Sequence, residues 1–219
     1  MKSIKLFFAS RYNVISITIV SILQYLLYYF FLDISSSSHK NNIFFQSNIV
    51  SILSFSFYML VFYKLFSDGY YRLIAINFSK NKSIGIVYTD ILRILLIGVF
   101  SWMLVYCISI LIYYGKANFD FEYIKKYFIY FVLFQLFLSL FAYYLMSIKP
   151  SVWTVFISVG YLFFEDTIVM MNKDTIGNYL PKEIFVRLFT ENSILTISVS
   201  LVYISILLLL IYKKNYKRI

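Results

Sequence analysis

Among 219 residues, few side chains are able to do acid–base, nucleophilic or metal chemistry. Glu165 and Asp166 are adjacent acids in an otherwise apolar stretch, 151–171. An acid at membrane depth costs about 2.5–3.5 kcal/mol on insertion scales and normally faces a cavity or a partner. The pair has two readings: it caps the span at a thinned outer interface, or it lines a cavity at the external mouth or neutralises a cationic substrate. His39 is the one histidine, so intramembrane metal hydrolysis and histidine-based phosphatase chemistry lack their ligands. The single cysteine, Cys107, excludes an internal disulfide framework and a thiolate metal cluster, and reads as a packing residue. No Gly-x4-Gly-Lys-Ser/Thr stretch exists to cradle a nucleotide phosphate. Serines are plentiful, but without a second histidine or a lysine in a span none is activated, and helix–helix hydrogen bonding is their expected use. The residue types favour a chain that is not an enzyme and holds no cofactor or metal.

The elements that carry these residues are membrane spans. Hydrophobic residues make up 61% of the chain and charged residues 14%, the reverse of a soluble domain. A bilayer core of about 30 Å needs roughly 20 apolar residues of helix. Runs 14–32, 41–63, 94–115 and 127–148 meet that without a charge, 192–212 is a fifth, and a sixth begins at Ser151. With no water to satisfy the backbone, continuous runs of this kind must be helices, so the expected fold is all-α with six spans. If both ends are cytoplasmic, the inner segments hold Lys2, Lys5, Arg11, Lys64, Arg72, Lys80, Lys82, Arg93, Lys149, Lys213, Lys214, Lys217 and Arg218. That is 13 of the 20 Lys and Arg, in accord with the positive-inside rule. The net charge of +10 is thus topological, and nucleic acid is not an expected partner. Residues 1–13 suit a short interfacial helix with Ile4, Phe7 and Phe8 toward lipid. Tyrosines at span ends are expected to form interfacial belts.

Segment 64–93 departs from a plain bundle. Asp68-Gly69 turns the chain, Tyr70–Asn77 forms a short helix with Leu73, Ile74 and Ile76 as apolar surface, and Arg72 points to water or a partner. Ser79–Ser83 breaks that helix, Ile84 onward enters the next one, and Asp90 is spaced to pair with Arg93. Pro150 marks the start of the run that begins at Ser151, the fifth span in chain order. From Ser151 to Phe164 the helix covers about 21 Å at the α-helical rise, which leaves Glu165 and Asp166 below the outer surface unless the bilayer thins or the helix breaks. Ile184, Phe185, Leu188 and Phe189 are spaced for a helix lying on the membrane.

The order of span, acidic residue, Gly, basic-apolar helix, Ser-basic break and span resembles permease subunits of type-2 ABC exporters. Asp68, Gly69, Leu73, Ile74, Ser79 and Lys80 match that segment. Asn77 stands where Pro is usual, and Lys80 replaces Arg. The resemblance extends over the whole chain in length, span number and loop sizes. It implies one permease domain, 1–219, in the cytoplasmic membrane of a bacterium. Asp68–Ser83 within 64–93, including Arg72, would be the coupling element that docks on a separate ABC ATPase. A second permease copy or homologue would complete the pathway. It also implies an external re-entrant or interfacial hairpin at 165–192, with Leu180-Pro181 near its turn. Peptide antibiotics, bacteriocins and lipids are the candidate substrates. The other reading is a six-span binding or immunity protein that works without an ATPase.

Overall fold

The computed structural model describes residues 48–113, 121–171, 180–190 and 194–218, with 15, 18, 19 and 21–26 from the first apolar run. The regular elements are α1 (Asn48–Ser67), α2 (Tyr70–Asn77), α3 (Lys80–Tyr113), α4 (Phe121–Ile148), α5 (Val152–Met171), α6 (Pro181–Thr190) and α7 (Ile194–Arg218). No strand occurs among the described residues. Val50–Ser67, Lys80–Ile108, Phe128–Ile148 and Ile194–Tyr216 are each long and apolar enough to cross a membrane, and Val152–Leu162 is a shorter apolar stretch. The expected N-terminal interfacial helix and the serine-rich turn after the first run lie outside the described residues.

Helix α4 is central and packs against α1, α3, α6 and α7, while α5 packs on α1 and α6. Its inward residues Phe131, Leu138, Tyr143 and Met146 are fully buried. The outward faces of α5 and α7 expose Trp153, Phe156, Ile157, Leu201, Val202 and Leu209. Apolar surface of that kind is what lipid-solvated helices present, since tails and side chains are equally apolar.

Three expectations are corrected. Helix α3 begins at Lys80 and runs 34 residues, so the break after α2 is shorter than Ser79–Ser83. At about 1.5 Å per residue α3 is roughly 51 Å long. Its first turns therefore extend past a hydrocarbon core of about 30 Å and carry Lys80 and Lys82 beyond it. Second, the aromatic residues are not confined to span ends. Phe55, Tyr58, Phe62, Trp102, Tyr106, Phe131 and Phe185 are buried in the core. Phe134 and Phe137 of α4 stack on Phe185, and Phe137 also stacks on Phe141. Offset ring pairs of this sort add about 0.5–1.5 kcal/mol beyond burial, which gives large planar side chains a use in a core that hydrophobicity alone cannot hold together. Third, Cys107 is exposed on α3 and is not a packing residue, because Val105 and Tyr106 beside it take the inward positions.

Helix α6 uses its apolar stripe against protein. Ile184, Phe185 and Leu188 are buried, and α6 packs on α4, α5 and α7. Its partly buried face holds an Arg187–Glu183 ion pair at 3.3 Å, one turn apart.

Candidate functional site

Helix α1 ends with a hydroxyl and two backbone bonds. Ser67 Oγ donates to the Lys64 carbonyl at 3.0 Å, and Asp68 N donates to the same carbonyl at 2.9 Å. Gly69 N then donates to the Phe66 carbonyl at 3.2 Å. Gly69 itself is left-handed at φ 71°, a conformation that costs a residue with a Cβ about 1–2 kcal/mol. That reversal starts α2 at Tyr70. The helix ends where Phe78 turns extended, at φ −127° and ψ 153°.

Helix α2 is two-sided. Ile74 is buried, whereas Leu73 and Ile76 are 57% and 70% exposed. Arg72 and Asn77 are exposed as well. Ile74, expected to form part of the exposed apolar surface, is instead the anchor that faces the bundle. Asp68 and Ser79 are exposed at the two ends of the helix. Lys80 belongs to the opening of α3, where its Nζ lies 3.5 Å from the centroid of the Tyr216 ring on α7. A cation over an aromatic face contributes about 0.5–1 kcal/mol at an exposed site, so Lys80 ties two spans together at this end.

Three contacts hold α2 against the spans. The Ser83 hydroxyl, itself buried, lies 3.3 Å from the Ile74 and Phe78 carbonyls and 3.1 Å from that of Ser79. Its single hydrogen supplements the backbone there, where Phe78 N already donates to the Ile74 carbonyl at 3.1 Å and Ser83 N to that of Ser79 at 2.9 Å. Tyr71 meets Phe66 at 4.7 Å between ring centroids and Tyr143 at 5.6 Å, which joins α2 to α1 and α4. Tyr70 hydrogen-bonds the Asp90 carboxylate of α3, and Arg93 acts electrostatically on both groups. Burial first, then the Asp90 carboxylate, pushes the Tyr70 phenol above its ordinary range, with Arg93 opposing. Tyr71 is raised by burial first, then by Tyr143, Asp90 and Tyr70.

A second polar site lies inside the bundle. Tyr58 Oη donates to Gln135 Oε1 at 2.8 Å, and Gln135 Nε2 donates to Ser54 Oγ at 3.0 Å. Trp102 Nε1 donates to the same Ser54 Oγ at 2.6 Å, and Ser54 donates to the Val50 carbonyl at 2.7 Å. These four side chains come from α1, α3 and α4 and are 0–1% exposed. A Cβ at Gly98 would sit 2.8 Å from Tyr58 ring carbons, so Gly98 gives Tyr58 its room. The network can orient and hold helices; it contains no acid, base or activated nucleophile. Sequence reading missed it, although one signal was present: Gln135 is an amide in the middle of an uncharged run, where polar groups seek partners.

Glu165 and Asp166 lie within α5, which continues unbroken to Met171. Glu165 is buried and shares a side-chain hydrogen bond with Tyr161, one turn earlier. The helix carries its backbone bonds past both acids, while its apolar stretch, Val152–Leu162, ends just before them. Residues 172–179 and 191–192 of the expected 165–192 hairpin lie outside the described residues.

At the basic end of the bundle a cavity of about 310 Å³ is lined by residues of α1, α2, α3 and α7, with Pro150 from the α4–α5 connection. The carboxyl ends of α1, α4 and α7 and the amino end of α3 therefore meet at one place. Lys64, Arg72, Lys80, Lys82, Lys149, Lys213 and Lys214 collect there by position in the chain.

Fold and site together define an all-helical membrane protein with a short helix set between two of its spans. No family model matches the chain, and no curated protein or solved structure matches it.

Proposed function

We propose that this chain is the membrane-spanning subunit of an ATP-driven exporter of the type-2 ABC class, with six spans and both ends in the cytoplasm of a bacterium. It pairs with a second permease copy or homologue and with separate ATPase subunits. The observation that carries this reading is α2: an eight-residue helix between two spans, anchored by Ile74, that turns Arg72, Leu73 and Ile76 outward. A basic and apolar surface on a helix of this kind suits insertion into a groove of a soluble partner.

The contacts around α2 supply a route for force. ATP-driven closure of the partner presses on Asp68–Ser83. The Tyr71–Phe66–Tyr143 ring cluster passes displacement to α1 and α4, and the Tyr70–Asp90 bond passes it to α3. Such a shift requires the partner to bind the two states of the permease unequally. Glu165, with Asp166 beside it, serves as an external-gate acid, and the cargo is a peptide antibiotic, a bacteriocin or a lipid.

The test is recovery of an ABC ATPase with a tagged copy purified from its own host in mild detergent. Leu73→Asp with Ile76→Asp abolishes that recovery while the chain stays folded, since both side chains are exposed. A folded wild-type chain that never recovers an ATPase, even after cross-linking in membranes, moves the reading to a stand-alone binding or immunity protein.

A further inference from the structure

Helix α2 is docked with one of its bonds unmade. Tyr71 Oη and Asp90 Oδ2 are both buried atoms, and neither has a hydrogen-bond partner among the described residues. One is a donor and the other an acceptor, and they are near enough for Asp90 to act electrostatically on Tyr71. Tyr70, whose ring centroid lies 5.2 Å from that of Tyr71, already hydrogen-bonds the same carboxylate. A carboxylate accepts on both oxygens, so the Tyr70 bond leaves room for a second phenol. Arg93, one turn further along α3, offsets the Asp90 charge. A buried donor and a buried acceptor that both go without partners are each costly, so closing the pair is favourable wherever the packing permits it.

Three features around α2 permit it. Gly69 is left-handed at one end and Phe78 extended at the other, and element-terminal residues of this kind absorb the dihedral change of a moving helix. The Ser83 hydroxyl has one hydrogen and three carbonyls in reach, those of Ile74, Phe78 and Ser79, so its tie to α2 can pass from one to another. The cavity of about 310 Å³ runs beside Tyr71, Ile74 and Ala75, which leaves one side of α2 unfilled where interiors are otherwise close-packed.

We infer that α2 is a two-position switch. In the position described here Tyr71 Oη and Asp90 Oδ2 stand apart; in the second, α2 shifts on α3 and Tyr71 donates to Asp90 Oδ2 while Tyr70 keeps the other oxygen. One carboxylate then holds both phenols. The new bond is set against the ring contacts of Tyr71 with Phe66 at 4.7 Å and Tyr143 at 5.6 Å, which the shift loosens. A hydrogen bond to a charged group and a pair of ring contacts are terms of similar size, so the two positions stay close in free energy. A partner that binds one position better would shift the balance. The switch itself needs only this chain and does not rest on the exporter reading.

The test follows α2 in the full chain, reconstituted in lipid nanodiscs. A trifluoromethyl tag is placed on Asn77→Cys, at the exposed end of α2, in a Cys107→Ser background that removes the one native thiol. Saturation-transfer fluorine NMR of this reference chain shows exchange with a second signal, populated at roughly 1–10%. Tyr71→Phe keeps the ring and its packing, and lowers that population about tenfold, the scale of one hydrogen bond to a charged group. Asp90→Asn leaves a single acceptor oxygen, which Tyr70 claims, and does the same. Tyr71→Phe decides the question if Asp90→Asn fails to fold. No exchange in the reference chain overturns the inference, and so does exchange that persists in Tyr71→Phe. Loss in Tyr71→Phe with full exchange in a folded Asp90→Asn gives the hydroxyl a different acceptor and overturns it too.

Discussion

Ser54 is a small side chain on which three helices depend. Its oxygen accepts from Trp102 and Gln135 and its hydrogen goes to Val50, so every capacity of the hydroxyl is used. Ser54→Ala orphans two buried donors, and an expected loss of about 1–3 kcal/mol is measurable by denaturant unfolding in detergent. Gly98 acts on the same network by absence. Gly98→Ala places a methyl against the Tyr58 ring, and overpacking of this sort costs about 1–3 kcal/mol. The cost should shrink in a Tyr58→Leu background; equal costs in both backgrounds would show that the close approach is not its cause. None of this pairing was legible in the chain. The serines were readable as hydrogen-bonding groups, but many spend their hydroxyl within their own helix, as Ser198, Ser200 and Ser205 do. Only placement separates them from Ser54.

Helix α2 was legible almost to the residue, because its boundaries are set locally. Gly69 supplies a left-handed turn at one end and Phe78 an extended residue at the other. Which side of α2 faces the bundle was not, since Leu73, Ile74 and Ile76 are equally apolar and the choice of Ile74 as anchor depends on where α1 and α3 lie. The phenols at its start give that docking a pH dependence. Tyr70 and Tyr71 are both raised in the folded state, so the folded protein holds these protons more tightly than the unfolded chain. Their contribution is complete below the ordinary tyrosine value of about 10 and is lost as pH rises above it. The unfolding midpoint in detergent is expected to fall on that alkaline limb. Tyr70→Phe should lower stability at neutral pH, by removing the bond to Asp90, and flatten the limb. An unchanged limb would place the titration elsewhere.

At the scale of the molecule, α6 binds the bundle through a side chain that its amphipathic spacing does disclose. Phe185 is fully buried, stacked on Phe137 at 4.6 Å and Phe134 at 5.6 Å between ring centroids. Phe185→Ala is expected to cost about 3–5 kcal/mol and to release α6, seen as a lower unfolding midpoint and new protease sensitivity within 181–190. A loss confined to a few tenths would mean α6 is held by other contacts. The spacing of Ile184, Phe185 and Leu188 announced an apolar stripe without saying whether lipid or protein would cover it. The helical class, four helices able to cross a membrane and the short helix between two of them can be read along the chain. Those follow from hydrophobic run length, backbone hydrogen-bond closure and local turn chemistry, each of which is a property of neighbouring residues. Only packing brings Tyr58, Trp102 and Gln135 together around Ser54, keeps Glu165 within a continuous helix, and gathers Tyr71, Arg72 and Asn215 around one cavity. Those groups lie far apart in the chain, and in a chain this uniformly apolar the pattern of hydrophobicity does not say which faces touch.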